Sequence, residues 1–476
     1  MKTVTEQKNK YEHSKVEMVS YGFGPALNQF FRMAYVSFAF FFYESELGLN
    51  VWLTSGAFII FAVWNAVNDP LVGYLTDRPF SFSKKWGVRF PWTLIGGLPW
   101  VFSYILIYLP GVVPMSEELI LFAWLTFSTC LFDTFNSIWW VNFYAVFPEK
   151  FRDLDERRTA SALITPVGIV GIVLGGLLPI VFITYGSESS YVFQAILISL
   201  IGLILFSFGL HGWRDDPKST TNYLESYERE ETKISFFQIL RKAFRQKSFM
   251  VYVFIYFTFQ VLVFCVQASL PYFVVFVLDE VKWVQFLIQG TFLVGALVTI
   301  PIWVKLARSK NNNKIIYLVS ASLLAAFTLP LTFLTSLPLI LVLVAFWGMA
   351  LGGLWSMERP IISDVIDESK LKTDQRHEGV YVSVAMFFNR LAIIAQALIF
   401  AIVHTLTGFY ENLESLADLI AINPDWQFAV FGIQLHFGII PAIFLAIGAL
   451  VFWKYYDLTP DRVGDVQEQL QLQRIK

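Results

Sequence analysis

The sequence is poor in charged residues and in cysteine for its length. Charged side chains make up 15% of its 476 residues, and the two cysteines, Cys130 and Cys265, both lie within long apolar runs. A placement of this kind indicates neither a disulfide framework nor a metal-binding cluster. A phosphate-binding glycine loop, a nucleophile-elbow serine and a pair of catalytic acids at a loop end are also missing from the sequence. We therefore expect a protein that is not an enzyme and that uses no organic cofactor.

Apolar residues, by contrast, are in excess. They make up 56% of the chain, and the mean hydropathy is +0.57, which favours a membrane protein over a soluble one. Runs long enough to cross about 30 Å of hydrocarbon as helices recur along the whole length. They predict an all-α polytopic membrane protein with about twelve transmembrane helices, near residues 19–43, 51–75, 92–110, 118–147, 160–184, 191–211, 248–278, 283–305, 315–335, 338–364, 379–406 and 427–454.

Lysine and arginine are concentrated in every second loop between the predicted spans. The loops after spans 2, 4, 8 and 10 are basic, whereas the opposite loops hold only Lys282. Because cytoplasmic loops retain these residues in excess, we predict that both termini are cytoplasmic. The polar first 15 residues predict no cleavable signal peptide. We expect a multi-pass protein of the cell membrane, either a bacterial inner membrane or a plasma membrane.

One hydrophilic segment divides the predicted spans six and six. We predict a cytoplasmic N-terminus (1–18), an N-terminal six-helix bundle (19–212), a cytoplasmic loop with an amphipathic helix (213–247), a C-terminal six-helix bundle (248–455) and a cytoplasmic tail (456–476). Two related halves of six spans are the architecture of the major facilitator superfamily. Residues 73–78, GYLTDR, resemble the signature of that superfamily after its second helix.

Further motifs resemble the glycoside–pentoside–hexuronide:cation symporter family. Residues 21–24, YGFG, open the first predicted span, and residues 64–70, WNAVNDP, lie in the second. Residues 363–367, SDVID, and residues 376–383, RHEGVYVS, resemble the family's pattern in span 10, the next loop and span 11. These matches occur in the correct order on the predicted spans. The resemblance implies the major facilitator fold and cation-coupled symport by alternating access.

Three polar residues of span 2 predict the cation site. Asn65, Asn68 and Asp69 stand at i, i+3 and i+4 and therefore share one helix face. A carboxylate inside a membrane is costly and usually functional, although a structural polar cluster is the alternative. The resemblance implies a cation site here with two acids, where this chain has Asn65 and Asp69.

We hypothesise that Asp133 supplies the second carboxylate, because it falls where the family's span 4 contributes a hydroxyl. Two carboxylates close together favour proton uptake. The coupling ion is therefore left open between H⁺ and Na⁺, with Asp69 as a ligand if the ion is Na⁺.

The predicted solute side departs from the sugar-recognising members of the family. Where the resemblance implies two acids and an arginine, this chain has Gln29, Asn136 and Thr165. Trp139 and Trp140 keep the aromatic end of the span 4 motif. Either residue could stack on a sugar ring or pack against lipid.

Three arginines, Arg32, Arg359 and Arg390, occur inside predicted spans 1, 10 and 11. An arginine binds a carboxylate or phosphate through two parallel hydrogen bonds, so these residues favour an anionic solute. The alternative is that the arginines neutralise the intramembrane acids in pairs. The predicted solute-binding residues are Gln29, Arg32, Asn136, Trp139, Trp140, Glu358, Arg359 and Arg390. We expect His404, in span 11, to be structural.

Ion-pairing residues at the cytoplasmic loop ends predict a gate. They are Asp77, Arg78, Arg157, Asp364, Asp367, Arg376 and Glu378. Exposed ion pairs contribute about 0–1 kcal/mol each, which suits contacts that must break and form repeatedly.

The sequence as a whole predicts a secondary active transporter. It would move a small organic solute, such as a sugar acid or another organic anion, together with H⁺ or Na⁺. A neutral glycoside symporter, a transporter of lysolipid-like amphiphiles, and a non-transporting sensor or scaffold are the alternatives. We expect the solute, a monovalent cation and the lipid bilayer as partners, no nucleic acid, and a monomer.

Overall fold

The computed structural model describes residues 12–76, 80, 83–112, 117–151, 154–216, 220, 244–373 and 378–475. Within these residues the chain is helical and contains no β-strand. A helix satisfies its backbone hydrogen bonds internally, which is why apolar runs of this length fold as helices in hydrocarbon.

Twelve long helices lie in the described part of the chain, at the positions that hydropathy predicts. The first six are α1 (Lys15–Phe41), α2 (Val51–Thr76), α3 (Phe90–Ile107), α4 (Glu118–Lys150), α5 (Leu154–Phe182) and α6 (Glu188–Gly209). The next six are α7 (Lys247–Tyr272), α8 (Lys282–Lys310), α9 (Asn313–Phe333), α10 (Leu337–Thr373), α11 (Glu378–Thr407) and α12 (Trp426–Tyr455), and a tail helix follows, α13 (Pro460–Ile475).

Eleven of these helices, α2 to α12, are long and apolar enough to cross a membrane by length and composition. The first predicted span forms α1, which is not among the eleven. Its 27 residues extend about 40 Å at about 1.5 Å per residue, so its length suffices to cross a bilayer. Its hydropathy is lowered by Asn28, Gln29 and Arg32. The fold prediction of an all-α polytopic membrane protein is confirmed.

Among the described residues, three five-residue π-helical turns interrupt or extend the long helices. Phe42–Glu46 follows α1, Phe273–Val277 follows α7, and Leu435–Ile439 lies inside α12. A π-helical turn adds one residue to a helical turn and often marks a functional position. These three turns carry or adjoin several buried polar residues.

The chain consists of two compact units, each built from more than one segment. Unit 1 comprises Met1–Tyr35, Val63–Ile183 and Ser189–Glu231, and unit 2 comprises Val36–Ala62, Thr184–Glu188 and Thr232–Lys476. The end of α1 and the start of α2 therefore belong to unit 2. The predicted division at the 213–247 loop stays a prediction, and the predicted amphipathic helix falls mainly outside the described residues.

Glycines allow close helix packing within each unit. A Cβ built on Gly171 or Gly175 of α5 would lie 2.0 or 2.2 Å from a carbonyl oxygen of α1. In unit 2, a Cβ on Gly348 or Gly352 of α10 would lie 2.2 or 2.5 Å from a carbonyl oxygen of α8. Both pairs have the small-xxx-small spacing with which membrane helices bring their backbones together.

Candidate functional site

A series of polar side chains joins α2 to α4 within unit 1. From α2 come Asn65, Asn68 and Asp69, and from α4 come Asp133 and Ser137. Residues three and four apart lie above one another on a helix, so two short polar rows face each other. We call these five residues the polar ladder.

Asp133 is the most buried carboxylate of the polar ladder. It is 4% exposed, and Asn68 beside it is 2% exposed. Asn65 Nδ2 donates to Asp133 Oδ1, and Asn68 Nδ2 donates to Asp133 Oδ2 at 3.2 Å. Hydrogen bonds to a charged group are worth about 1.5–3 kcal/mol each, so the two amides offset part of the cost of burying this carboxylate. The structure thus brings Asp133 against the predicted span 2 residues.

Asp69 lies beside a different partner of α4. Its Oδ1 accepts a hydrogen bond from Ser137 Oγ at 2.5 Å, and Ser137 is fully buried. The sequence prediction did not name Ser137, although its i+4 spacing from Asp133 places it on the same helix face. Nearby, Trp64 Nε1 donates to Thr134 Oγ1 at 3.0 Å and adds a further link between the helices.

The polar ladder fits a monovalent cation by its chemistry. Two carboxylates, two amides and a hydroxyl all carry oxygen atoms, the donors that hard cations prefer. An asparagine side chain can present either its N–H groups or its carbonyl oxygen. Asn65 and Asn68 can therefore donate to an ionised Asp133, or rotate and offer oxygen to a sodium ion. The same carboxylates can instead hold a proton.

The predicted solute-binding residues of unit 1 differ in their exposure. Trp139 has no exposed surface and stacks on Trp100 and Phe143, with ring centroids 4.9 and 5.1 Å apart. This packing favours a role for Trp139 in the core. The other four are partly exposed: Gln29, Arg32, Asn136 and Trp140.

In unit 2, three further predicted solute residues lie on α10 and α11. Glu358 and Arg390 are half-buried, and Arg359 is exposed. Neighbouring residues on a helix point about 100° apart, so Glu358 and Arg359 face different surroundings. Glu358 interacts electrostatically with the buried phenols Tyr252 and Tyr317.

Only part of the predicted gate lies within the described residues. Arg157 Nε donates to the Phe151 carbonyl at 3.0 Å, and Glu378 begins α11. Three of the predicted gate residues lie outside the described residues: Asp77, Arg78 and Arg376. The gate stays a prediction.

The two acids that the gate prediction places on α10 bond within unit 2. Asp364 accepts from Asn313 Nδ2 at 3.1 Å, and Asp367 accepts from Gln467 Nε2 of α13 at 2.9 Å. Glu368, which was not predicted, is 3% exposed and forms an ion pair with Arg462 of α13. The tail helix is thus fastened to α10 by polar contacts.

A second unpredicted cluster lies just before α1. His13 is buried, with Nδ1 3.0 Å from Glu156 and Nε2 2.8 Å from Asp216. The hydrogen bond to Asp216 raises the pKa of His13 above its ordinary value, against the opposing effect of burial. Glu17 and Asp216 complete, with His13, a geometry that could hold a metal ion, but the Lys150 ammonium lies 2.6 Å from Glu17. We assign this cluster a structural role, because a neighbouring ammonium repels a metal cation.

Comparison with known proteins identifies the family. The model of the family described as "MFS/sugar transport protein" matches residues 20–459. The Escherichia coli K12 protein named "Inner membrane symporter YicJ" is 24% identical over 469 residues, which cover 95% of this chain and 94% of that protein. The "Putative sulfoquinovose importer" of the same organism is 23% identical, and the match covers 97% of this chain and 94% of that protein. The Danio rerio "Sodium-dependent lysophosphatidylcholine symporter 1-A" is 21% identical, and the match covers 86% of this chain and 79% of that protein.

A solved structure shares the fold. The crystal structure of a D-xylose-proton symporter superposes with a TM-score of 0.59 at 14% identity, covering 93% of this chain and 96% of that one. This likeness shows the fold, and the family match with the symporter relatives shows a transporter and not an enzyme. The chain belongs to the MFS/sugar transport protein family and is a multi-pass, cation-coupled symporter of the glycoside–pentoside–hexuronide type.

Proposed function

We propose that this symporter binds its coupling cation at the polar ladder and moves an anionic organic solute, of the sugar-acid class, together with that cation. The observation that carries the proposal is Asp133, a buried carboxylate held by two amides of α2 beside the Asp69–Ser137 pair. It supplies the second acid that the motif of α2 lacks.

The charge of the polar ladder explains why cation binding would drive a change of state. Two ionised carboxylates close together in hydrocarbon are costly, and one bound monovalent cation removes half of their charge. A cation that binds one conformation better than another shifts the population toward that conformation. Sodium and a proton both satisfy this requirement, and the oxygen-rich ligand set accommodates either.

The solute half of the proposal depends on the exchange of acids for neutral and basic residues. Gln29 and Asn136 stand where acids would repel an anion, and Arg32 and Arg390 are partly exposed within long apolar helices. A guanidinium binds a carboxylate, sulfonate or phosphate in two-pronged fashion. The relative named as a putative sulfoquinovose importer supports this class, since sulfoquinovose is a sugar that carries a sulfonate. Trp140, which is half-buried, is available to stack on a sugar ring.

An amphiphile with an anionic head group is the second candidate. The observation in its favour is the relative named as a sodium-dependent lysophosphatidylcholine symporter. A phosphate head group would use the same arginines as a sugar acid, so the two candidates differ in whether an acyl chain is required for binding.

The predicted gate, the orientation of the termini and the monomeric state are part of the same proposal. The gate would comprise Arg157, Asp364 and Asp367 together with Asp77, Arg78, Arg376 and Glu378. Both termini would lie in the cytoplasm, and a monomer would suffice for transport.

A thermal-shift titration of the purified full-length protein tests both halves. The probes are a sulfonated sugar, its uncharged parent sugar and lysophosphatidylcholine, each with sodium or potassium at an acidic and a neutral pH. A specific ligand at 100 times its Kd stabilises a protein by about 2.7 kcal/mol, which is readily measured as a rise in Tm. We expect the sulfonated sugar to raise Tm only when the coupling cation is present.

Three variants assign the effect to residues. D133N should lose the cation-dependent rise in Tm, and R390Q should lose the solute-dependent rise while it keeps the response to the cation. D425N, at an exposed carboxylate before α12, is the matched control and should behave as the wild type. An equal rise with the uncharged sugar would contradict the anionic solute, and a cation response that persists in D133N would place the cation elsewhere.

A further inference from the structure

Five buried polar side chains form one continuous hydrogen-bonded series in unit 2, apart from the polar ladder. Glu44 lies in the π-helical turn after α1, Ser269 and Tyr272 lie on α7, His404 lies on α11, and His436 lies in the π-helical turn of α12. Each of the five has a relative exposure of 0%. We call them the histidine chain. His404, which we expected to be structural, contacts two other members of the histidine chain.

The order of contacts in the histidine chain is linear. Ser269 Oγ lies 2.6 Å from His436 Nδ1, and His436 Nε2 lies 2.9 Å from His404 Nε2. His404 Nδ1 lies 2.7 Å from Glu44 Oε1, and the Tyr272 hydroxyl donates to Glu44 Oε2. Both ring nitrogens of each histidine are therefore used, and both oxygens of the carboxylate are used as well.

This geometry limits where protons can reside. A contact between two imidazole nitrogens at 2.9 Å holds one proton, because two N–H groups would clash and two lone pairs would repel. With Glu44 ionised, all hydrogen bonds can point toward it: Ser269 donates to His436 Nδ1, His436 Nε2–H donates to His404, and His404 Nδ1–H donates to Glu44. Both histidines are then neutral, and the histidine chain carries one negative charge.

One added proton reverses every bond of the series from Ser269 to Glu44 without moving a heavy atom. A proton that arrives at Ser269 displaces the hydroxyl proton to His436 Nδ1, the His436 Nε2 proton passes to His404 Nε2, and the His404 Nδ1 proton passes to Glu44. Each step breaks one N–H or O–H bond and forms another. The outcome is a neutral Glu44 acid, two neutral histidines in the opposite tautomers and a net charge of zero. Tyr272 donates to Glu44 in both states.

The surroundings favour such a neutral state. In the described part of the protein, no lysine or arginine contacts the five residues. Phe400 packs edge-on against His436 at 4.2 Å, and Phe409 lies 4.6 Å from His404. The two imidazoles are thus enclosed by aromatic rings, and a net charge buried without a counter-ion is costly.

Two other carboxylates near this end of unit 2 have partners of their own. The Glu46 carboxylate accepts from the Gly186 amide at 3.0 Å, and Glu411 accepts from Asn50 Nδ2 at 3.0 Å. Glu411 also interacts electrostatically with Tyr272. The nearby charges are thus negative, and they too favour uptake of a positive charge by the histidine chain.

We propose that the histidine chain is a proton-binding site of this symporter, separate from the polar ladder, which takes up one proton by reversing its hydrogen bonds. The two π-helical turns present Glu44 and His436 to α11, and the histidine chain connects segments that are far apart in sequence. Proton occupancy changes its net charge from −1 to zero. The site accommodates a proton and not a metal ion, because its atoms are already within hydrogen-bonding distance of one another.

Infrared difference spectroscopy of the full-length protein in lipid tests the proposal without any need for a transport substrate. Spectra recorded at acidic minus alkaline pH should show a protonated-carboxyl band that shifts in D₂O. E44Q should lose one band of this kind that D133N keeps, which distinguishes Glu44 from the carboxylates of the polar ladder. E411Q is the matched control, since it removes a neighbouring carboxylate from the same end of unit 2, and it should keep the band.

Nitrogen-15 spectra of the histidines provide a second measurement on the unaltered protein, in case E44Q does not fold. His404 should change from the Nδ1–H to the Nε2–H tautomer on acidification, and His436 should change in the opposite direction. The signals of the protein's other three histidines are identified by single replacements. Fixed tautomers across the pH range, or an imidazolium beside an ionised Glu44, would overturn the proposal. Neither result depends on whether the polar ladder binds a cation.

Discussion

An exchange of the Asn65 and Asp133 side chains tests how the polar ladder uses its second carboxylate. The two side chains are nearly isosteric and are hydrogen-bonded to each other, so N65D/D133N moves the charge from α4 to α2 within the same contact. In the double variant the new amide on α4 donates to the new carboxylate on α2. The exchange should therefore preserve the hydrogen bond and the total charge of the ladder.

The single variants should each fail in a different way. D133N leaves two amides facing a third amide and removes one of the two carboxylates proposed to hold the cation, a charged interaction worth about 1.5–3 kcal/mol. Since about 1.4 kcal/mol is a factor of ten, cation binding should weaken about 10- to 100-fold. N65D places two carboxylates in direct contact, where they cannot both stay ionised. Its cation affinity should become strongly dependent on pH.

The double variant should bind the cation within about tenfold of the wild type, with a coupling energy of roughly 1–3 kcal/mol in the double-mutant cycle. Calorimetric titration of the four purified proteins with sodium, and with protons by pH, measures every corner of the cycle. S137A serves as a control, because it removes only the hydroxyl that donates to Asp69. The free energy of cation binding should weaken by about 0.5–1.5 kcal/mol in this variant. If N65D/D133N is as defective as D133N, our reasoning about a transferable charge is refuted.

Three further predictions concern packing and the helix ends. G175A places a Cβ 2.2 Å from a backbone oxygen of α1 and should destabilise the protein by about 1–3 kcal/mol, seen as a lower Tm, whereas G464A meets nothing within 4 Å and should not lower Tm. His13 has a raised pKa, so its contribution is complete below its ordinary value of 6.5 and is lost as the pH rises through the higher folded value. Hydrogen exchange at the start of α1 should therefore quicken with pH beyond its intrinsic rise, and H13Q should abolish that extra increase. R462A breaks the ion pair with Glu368 and should speed proteolysis of α13 without changing the digestion of the membrane helices.

Hydropathy and spacing could predict most of the helices. Predicted spans and observed helices begin within a few residues of each other from α2 onward, apart from α5, which begins at Leu154 instead of 160. The largest difference is at the end of α10, predicted at residue 364 and observed at Thr373. Residues 365–373 are polar enough to leave the membrane, yet Val365, Ile366 and Glu368 are buried and continue one helix face. Hydropathy detects the bilayer and not a helix that extends beyond it.

The polar ladder was predictable in part because its members lie on ordinary α-helical faces. Asp133 was proposed from its position in the family motif, and the structure brings it to Asn65 and Asn68. The histidine chain could not be predicted in this way. Glu44 and His436 lie in π-helical turns, each of which adds a residue and rotates the following positions by about 100° relative to an α-helical projection. In addition, Glu44 and His404 are 360 residues apart, and no local pattern links them.

The polar ladder and the histidine chain differ in the cations that they can hold. The ladder collects oxygen atoms that can accept either sodium or a proton, whereas the histidine chain has room for a proton alone. The two assemblies share no residue and belong to different units, so D133N and E44Q each alter one assembly alone. A sodium-dependent rise in Tm should therefore survive in E44Q and weaken in D133N, while the change of the His404 tautomer with pH should survive in D133N and be absent in E44Q. If D133N abolished the tautomer change, or E44Q abolished the sodium response, the assignment of a separate cation site and proton site would be refuted.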